Sequence, residues 1–436
     1  MNKDFQKFFF FYFWWAILLA SPQYSILALF RRYDFFLVLL SSFYLFRLSF
    51  FNNLINKCAI SQFYKFIMFL LLLWIFINIF RHPPSNPLGF LRFSGGNYYV
   101  AAWYPLLLFY FGSKIASWSQ IWHYALKFNK LFVVFSPVIV FLFIKNAIYW
   151  SPLLLAQYLV PILILNWEMM QKNDKTYVII SLFVCFFLAI FGGSRSITFR
   201  MLFYVPVLYV LMLIKQKSRS IFPFFIMSIL LIGLYFLGSF IYEGGLNSTT
   251  ITNPETGAYK FSSKGFSNSR EDYAYPDFFL DMKSMQDWAL GRGINGSYYS
   301  KIFETDVDKD LNEKNSLGVK KGYRENIECG YLEVILKIGL IGLILKLMLA
   351  LPAIYLGLFK SNNWFVKSCA IIIIEWLIAM YPAALPEFID SYMLVWLCIG
   401  ACLSKETRNA HSSTLFLSNL KQIQNKNKSF IRINHF

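Results

Sequence analysis

The chain has 436 residues, of which 57% are hydrophobic, 20% aromatic and only 15% charged, a balance that excludes an ordinary soluble domain and fits a polytopic membrane protein. Its formal charge of +18 would suit nucleic acid, but the distribution argues against that partner: residues 243–328 hold 14 acidic and 11 basic residues, a net of −3, which leaves +21 on the rest. Those bases gather in short loops such as "KQKSRS" (215–220) and in the tail after Ser404, as the positive-inside rule and contact with anionic lipid headgroups would have it.

Apolar runs of spanning length recur along the chain. Twelve are predicted, near 8–29, 34–51, 63–80, 98–112, 131–144, 148–165, 177–191, 196–214, 221–240, 331–358, 368–382 and 391–403. The start, "MNKDFQKFFFFYFWWAILLASPQ", has the basic end and apolar stretch of a signal peptide without a small-x-small cleavage site, and reads as a retained first helix. The expected organisation is all-α: spans 1 to 9 in residues 1–240, one large external loop in 241–330, spans 10 to 12 in 331–403, and a basic cytoplasmic tail in 404–436. Placing 166–175, 215–220 and the tail in the cytoplasm puts both termini inside and 241–330 outside, with Arg195 emerging on that same outer side. Arg31 and Arg32 fall outside in this topology, against the rule. The polar 241–330 segment, rich in turn signals ("EGGLNSTT", "NPETG", "GRGINGS"), is expected to be a cap over the bundle without a second core.

Within the run "VCFFLAIFGGSRSITFRMLFYV", Gly192 and Gly193 permit a tight turn, Ser194 and Ser196 supply hydroxyls, and Arg195 stands beside hydrocarbon. A guanidinium there suits two-pronged binding of phosphate oxygens, or snorkels to headgroups. A second constellation fills the outer segment: "SREDYAYPDFFLDM" (269–282), "WALGRGINGSYYS" (288–300) and "GYRENIECGYLEVILKIGLIG" (322–342). Arg270, Arg292 and Arg324 recur there among glycines, carboxylates and tyrosines such as Tyr323. Aromatic faces and carboxylates suit sugars and the arginines suit a pyrophosphate, whereas the plainer reading is a solvated loop whose charges cancel. Glu328 stands where this loop meets the span beginning near Gly330; one dry side would raise its pKa toward that of a general base, or it simply ends the loop.

Other motifs carry less. "DVDKDLNEKNSL" (306–317) has Leu311 where a calcium loop needs glycine and Leu317 where it needs glutamate, and its D-x-D would meet no nucleotide sugar on the outer face. Glu375 is an intramembrane carboxylate open to a functional or a structural reading. The six cysteines form no disulfide framework and no CxxC, and His82, His123, His411 and His435 have no metal spacing; neither a metal nor another cofactor is expected.

The "GGSR" turn between two spans, a single large outer loop carrying "R…GRG…YRENIE", and the following "GYLEVILKIGLIG" together resemble the bacterial O-antigen polymerase and ligase superfamily, the Wzy-type polymerases and their relatives. The resemblance covers residues 60–400 in architecture and 190–342 in motif. It implies a GT-C-like membrane protein of the inner membrane. The implied activity is that of a metal-independent, inverting-type glycosyltransferase joining undecaprenyl-pyrophosphate-linked oligosaccharides at the periplasmic face, for O-antigen or capsule, with a chain-length regulator as a further candidate partner. By resemblance, Glu328, Arg195 and Arg324 are catalytic, and Arg292, Arg270, Tyr323 and Ser194 bind substrate. The ligase branch carries a histidine where this register has Glu328, followed here by Cys329, Gly339 and Gly342, a departure that favours polymerase over ligase. A lipid-linked oligosaccharide flippase, the alternative from another class, would line its spans with charges and need no long outer loop.

Overall fold

The computed structural model describes residues 58–81, 108–144, 150–191, 251–252, 259–260, 275–293, 296–300, 322–324, 327, 329–380 and 390–411. These are mostly helical: α1 (Gln62–Arg81), α2 (Ile115–Ile144), α3 (Trp150–Leu165), α4 (Lys172–Phe191), the short α5 (Tyr275–Asp281) and α6 (Met285–Leu290), then α7 (Gly330–Phe359), α8 (Trp364–Ala379), α9 (Asp390–Leu403) and α10 (Lys405–Asn409). Two minimal antiparallel pairs complete them, β1 (Ile251–Thr252) with β2 (Tyr259–Lys260) and β3 (Tyr298–Tyr299) with β4 (Tyr323–Arg324). Among the described residues, α7 is the helix long and apolar enough to cross a membrane, with a mean hydropathy of 2.4 over its most apolar window.

The helices pack on one core in which α8 lies against α9, α7 and α3, and α7 against α1. The outward faces of α1 and α7 are as apolar as the inward ones. On α7 the exposed side chains are Leu340, Ile341, Ile344, Met348, Leu351, Tyr355 and Phe359, one stripe at helical spacing; on α1 they are Phe63, Phe66, Phe69, Leu73, Phe76 and Ile77.

One end of the bundle is tied by hydrogen bonds between distant segments. Ser404 donates to the Ser113 carbonyl (2.9 Å), Lys405 N to the Ala59 carbonyl (3.1 Å), Ser361 to the Arg408 carbonyl (3.2 Å) and Asn363 to the Ala410 carbonyl (3.0 Å). The turn after α3 reaches the same end, since Leu165 clusters with Ile371 and Trp364. At the opposite end Gly330 N donates to the Met380 carbonyl (2.7 Å) and the Tyr331 hydroxyl to the Leu377 carbonyl (2.6 Å).

Two differences from the sequence reading have simple causes. The stretch 113–130, expected as a connection between spans, is helical from Ile115 and runs on into 131–144 without a break. Trp118, Ile121, Trp122, Ala125, Phe128 and Phe132 recur every three or four residues and are all buried, while His123 and Lys127 face outward. That amphipathic period is enough to hold a helix against a core without any apolar run. The 241–330 segment, expected to be an outer cap without a core, has a small one: Phe278, Met282, Tyr298 and Ile327 pack with Ile335 and Leu336 of α7, with Trp288 at the edge.

Candidate functional site

The site is built around a break in α7. Gly339 has φ +69° and ψ 179°, so Gly330–Phe359 is two helical pieces joined at one positive-φ residue. Such a break leaves carbonyls of the first piece without helical donors, and inside a packed protein they must find others. They do so from two directions. Arg292 N donates to the Leu336 carbonyl (2.7 Å), and the Trp74 indole Nε1 of α1 donates to the Ile338 carbonyl (2.7 Å). The turn "GRG" (291–293) is thereby driven into the break. Gly291 itself has φ +71°; a Cβ there would stand 2.5 Å from Gly339 N, and one on Gly339 would fall on the Ala289 carbonyl oxygen. Both residues must be glycine for the two backbones to approach this closely.

The turn is held from both sides. Ser284 caps α6 by accepting from Asp287 N (2.9 Å), and Gly291 N closes it on the Asp287 carbonyl (2.8 Å). The Arg292 guanidinium then gathers the segment. Nε and Nη2 donate to Asp287 Oδ2 (3.2 and 3.0 Å), Nη1 to Asp281 Oδ2 and to the Ser297 carbonyl (3.0 Å), and Nη2 also to the Asp281 carbonyl (2.8 Å). These five bonds use all five guanidinium donors. Burial alone would lower the pKa of Arg292, but the bonds to Asp281 and Asp287 outweigh it and hold the charge more firmly than usual. Arg292, expected to bind substrate, is therefore placed as the internal staple of the loop, its fork closed by two carboxylates. From α1, Arg81 Nη1 donates to the Leu290 (2.9 Å) and Gly291 (3.3 Å) carbonyls.

Above the staple lies the β3–β4 pair, in which Tyr298 faces Arg324 and Tyr299 faces Tyr323. Tyr299 N donates to Asp281 Oδ2 (3.0 Å), so the carboxylate that grips Arg292 also fixes this strand. The Tyr299 and Tyr323 rings meet edge to face at 5.6 Å, and Tyr323 is 38% exposed. Tyr298 is fully buried against Phe278, and Ser300 donates to Asp277 Oδ2 (2.6 Å). Burial pushes the Tyr298 hydroxyl up to about 12, opposed by the neighbouring Arg324 charge and assisted by Glu333 and Asp277. Arg324 thus stands half-buried among tyrosines and carboxylates at the mouth of this small core. Glu333, in the first turn of α7, accepts from Ile327 N (2.7 Å), a reach-back contact that fixes the approach to Cys329 and Gly330.

Of the residues singled out in the sequence, the structure brings Arg292, Tyr323 and Arg324 into one unit; Ser194, Arg195, Arg270 and Glu328 lie outside the described residues. The sequence reading passed over Arg81, Asp281, Asp287 and Lys337. Lys337 is fully buried two residues before the break, its Nζ donating to the Gly296 carbonyl (3.1 Å), and Lys346 lies buried further along α7. The signal for both was a lysine interrupting an apolar run. Glu375 of α8 is likewise buried. The six cysteines are free and buried, and no group of three or more His, Cys, Asp or Glu among the described residues is arranged to hold a metal ion.

No family model, no curated protein and no solved structure matches this chain.

Proposed function

We propose that the chain is a bacterial inner-membrane glycosyltransferase of about twelve spans that polymerises undecaprenyl-pyrophosphate-linked oligosaccharide repeat units at the periplasmic face. The observation that carries this reading is the junction at Gly339, where a polar segment bearing Tyr323 and Arg324 is locked into the long apolar helix α7. A lipid-linked sugar diphosphate needs such a place, with hydrocarbon for the polyprenyl chain on one side and cations, carboxylates and aromatic faces for its head on the other. The outward apolar stripes of α1 and α7 are large for a surface meeting water and ordinary for one meeting acyl chains.

In this reading the diphosphate is already a good leaving group, so the protein has three tasks. It aligns the acceptor hydroxyl with the anomeric carbon, removes the hydroxyl proton, and neutralises charge on the departing phosphate. Glu328 is the general base; Arg195 and Arg324 meet the diphosphate; Ser194, Arg270 and Tyr323 contact substrate; and Arg292 positions the loop. Loss of one charge-stabilising contact would slow the reaction on the order of 10²-fold or more.

The test is chain length. Arg195→Ala and Glu328→Gln are each expected to abolish lengthening of the surface polysaccharide while the protein remains in the membrane. Cells lacking the chain and displaying single capped repeat units fit a polymerase; cells with no surface glycan point to a ligase; lipid-linked units trapped on the cytoplasmic leaflet point to a flippase. Labelling that puts residue 195 and the 241–330 segment on opposite faces would end the proposal.

A further inference from the structure

We infer that Arg81, the last residue of α1, is an oxyanion-binding residue for a phosphate-class ligand at the break in α7. Three observations converge on it. First, among the described residues it is held through a single nitrogen: Nη1 donates to Asn78 Oδ1 (3.2 Å), Leu290 O (2.9 Å) and Gly291 O (3.3 Å). Second, among the described residues the other edge of the fork, Nε and Nη2, donates to nothing, and no carboxylate lies within ion-pair distance of the guanidinium. Third, the acceptors that hold it among the described residues are all neutral, so none of them cancels its positive charge. Arg292, two residues along the turn that Arg81 grips, is the internal contrast, with five donors used and two aspartates bound.

The support beneath Arg81 is rigid. Asn78 is fully buried and donates to the Trp74 carbonyl (3.0 Å), and Trp74 in turn donates to the Ile338 carbonyl. Trp74, Asn78 and Arg81 thus form one row on α1, spaced four and three residues apart, that runs along the break and ends in a half-exposed cation. A fork that the described residues anchor on one amino group and leave open on the Nε–Nη2 edge has the geometry for two parallel bonds to a phosphate oxygen pair. A structural arginine at a helix end would need only the carbonyl bonds it already makes.

Two sources carry this chemistry, a phospholipid headgroup and the diphosphate of a lipid-linked sugar. The second rests on the glycosyltransferase reading above, while the oxyanion contact does not. The experiment uses the full chain purified in a neutral detergent and compares wild type with R81Q and R81K. Inorganic pyrophosphate is titrated in one arm. In the other, nanodiscs of phosphatidylcholine with and without phosphatidylglycerol report headgroup selectivity. The expected result is pyrophosphate binding weakened about 10- to 100-fold in R81Q, with R81K in between because it keeps charge but loses the two-pronged edge. Selectivity for phosphatidylglycerol that disappears in R81Q, with no pyrophosphate binding, supports the same contact with the headgroup as its source. R81K keeps a donor for the Leu290 carbonyl, so it decides the matter if R81Q does not fold. Wild type that binds neither ligand, or either variant binding as tightly as wild type, overturns the inference. Wild type that binds pyrophosphate but lengthens no chain from lipid-linked repeat units would leave the inference standing and remove the polymerase reading.

Discussion

Replacing Gly339 by alanine separates a broken helix from a continuous one by the sign of the effect. In a regular helix interior glycine is disfavoured against alanine by about 0.5–1 kcal/mol, so G339A would stabilise. Here φ +69° with ψ 179° lies in a region essentially restricted to glycine, which costs a side chain about 1–3 kcal/mol. The new methyl would also meet the Ala289 carbonyl and stand 2.6 Å from Gly291 N, backbone atoms that no rotamer change can move aside. Backing the turn away breaks the Arg292 N bond to Leu336 O and leaves a buried carbonyl unsatisfied, a further cost of about 1–3 kcal/mol. The expected outcome is a loss of roughly 2–6 kcal/mol. It is read as the shift in unfolding midpoint of the full chain in nanodiscs, with G291A beside it. The two glycines form one contact, so the double variant should lose less than the sum of the singles. A G339A protein as stable as wild type, or more so, would refute the wedge.

Three further outcomes follow from the same geometry. W74F removes the donor to Ile338 O while keeping an aromatic ring, and should cost about 1–3 kcal/mol by unfolding midpoint; a neutral result would mean that water replaces the indole. R292Q and D287N should each loosen the outer segment, seen as faster labelling of a cysteine placed at buried Ser300, and their effects should couple; additive effects would dissolve the staple. Tyr298 has a folded pKa of about 12 against an ordinary 10.0, so the unfolded chain releases its proton first; its contribution is complete below pH 10 and declines as pH rises from 10 toward 12. Y298F should flatten that part of the stability profile.

The helices 62–81, 150–165, 172–191, 330–359, 364–379 and 390–403 fall close to apolar runs read directly from the sequence, because hydrocarbon-length stretches announce themselves without tertiary information. The 115–130 helix did not, since its signal is a three-to-four residue period of buried aromatics inside polar sequence. At the site, the glycines of "GRG" and "KIGLIG" were visible as unusual, but nothing in the sequence says that Gly291 and Gly339, nearly fifty positions apart, touch. The role of Arg292 was illegible for the same reason. An arginine among carboxylates reads alike whether it greets a ligand or closes on its neighbours, and only the positions of Asp281 and Asp287 decide. Arg81 carried no motif at all and gains meaning from the carbonyls of Leu290, at the end of α6, and of Gly291 just after it.

The break at Gly339 also explains why the segment before α7 can be both polar and firmly seated. The first piece of α7 is a shared wall: Ile335 and Leu336 belong to the small outer core, Val334 and Ile338 to the bundle, and Lys337 reaches back to Gly296. A continuous helix would have its backbone bonds closed within itself and could offer the outer segment only side chains. By opening at one residue it offers carbonyls instead, and a main-chain donor and an indole take them up. Hydrogen bonds of that kind, buried in a packed junction, are costly to break because neither partner finds water nearby. The boundary between polar cap and apolar bundle is therefore set by the break, nine residues past the point where the apolar run begins. Arg81, through its bonds to the Leu290 and Gly291 carbonyls, stands at that same boundary.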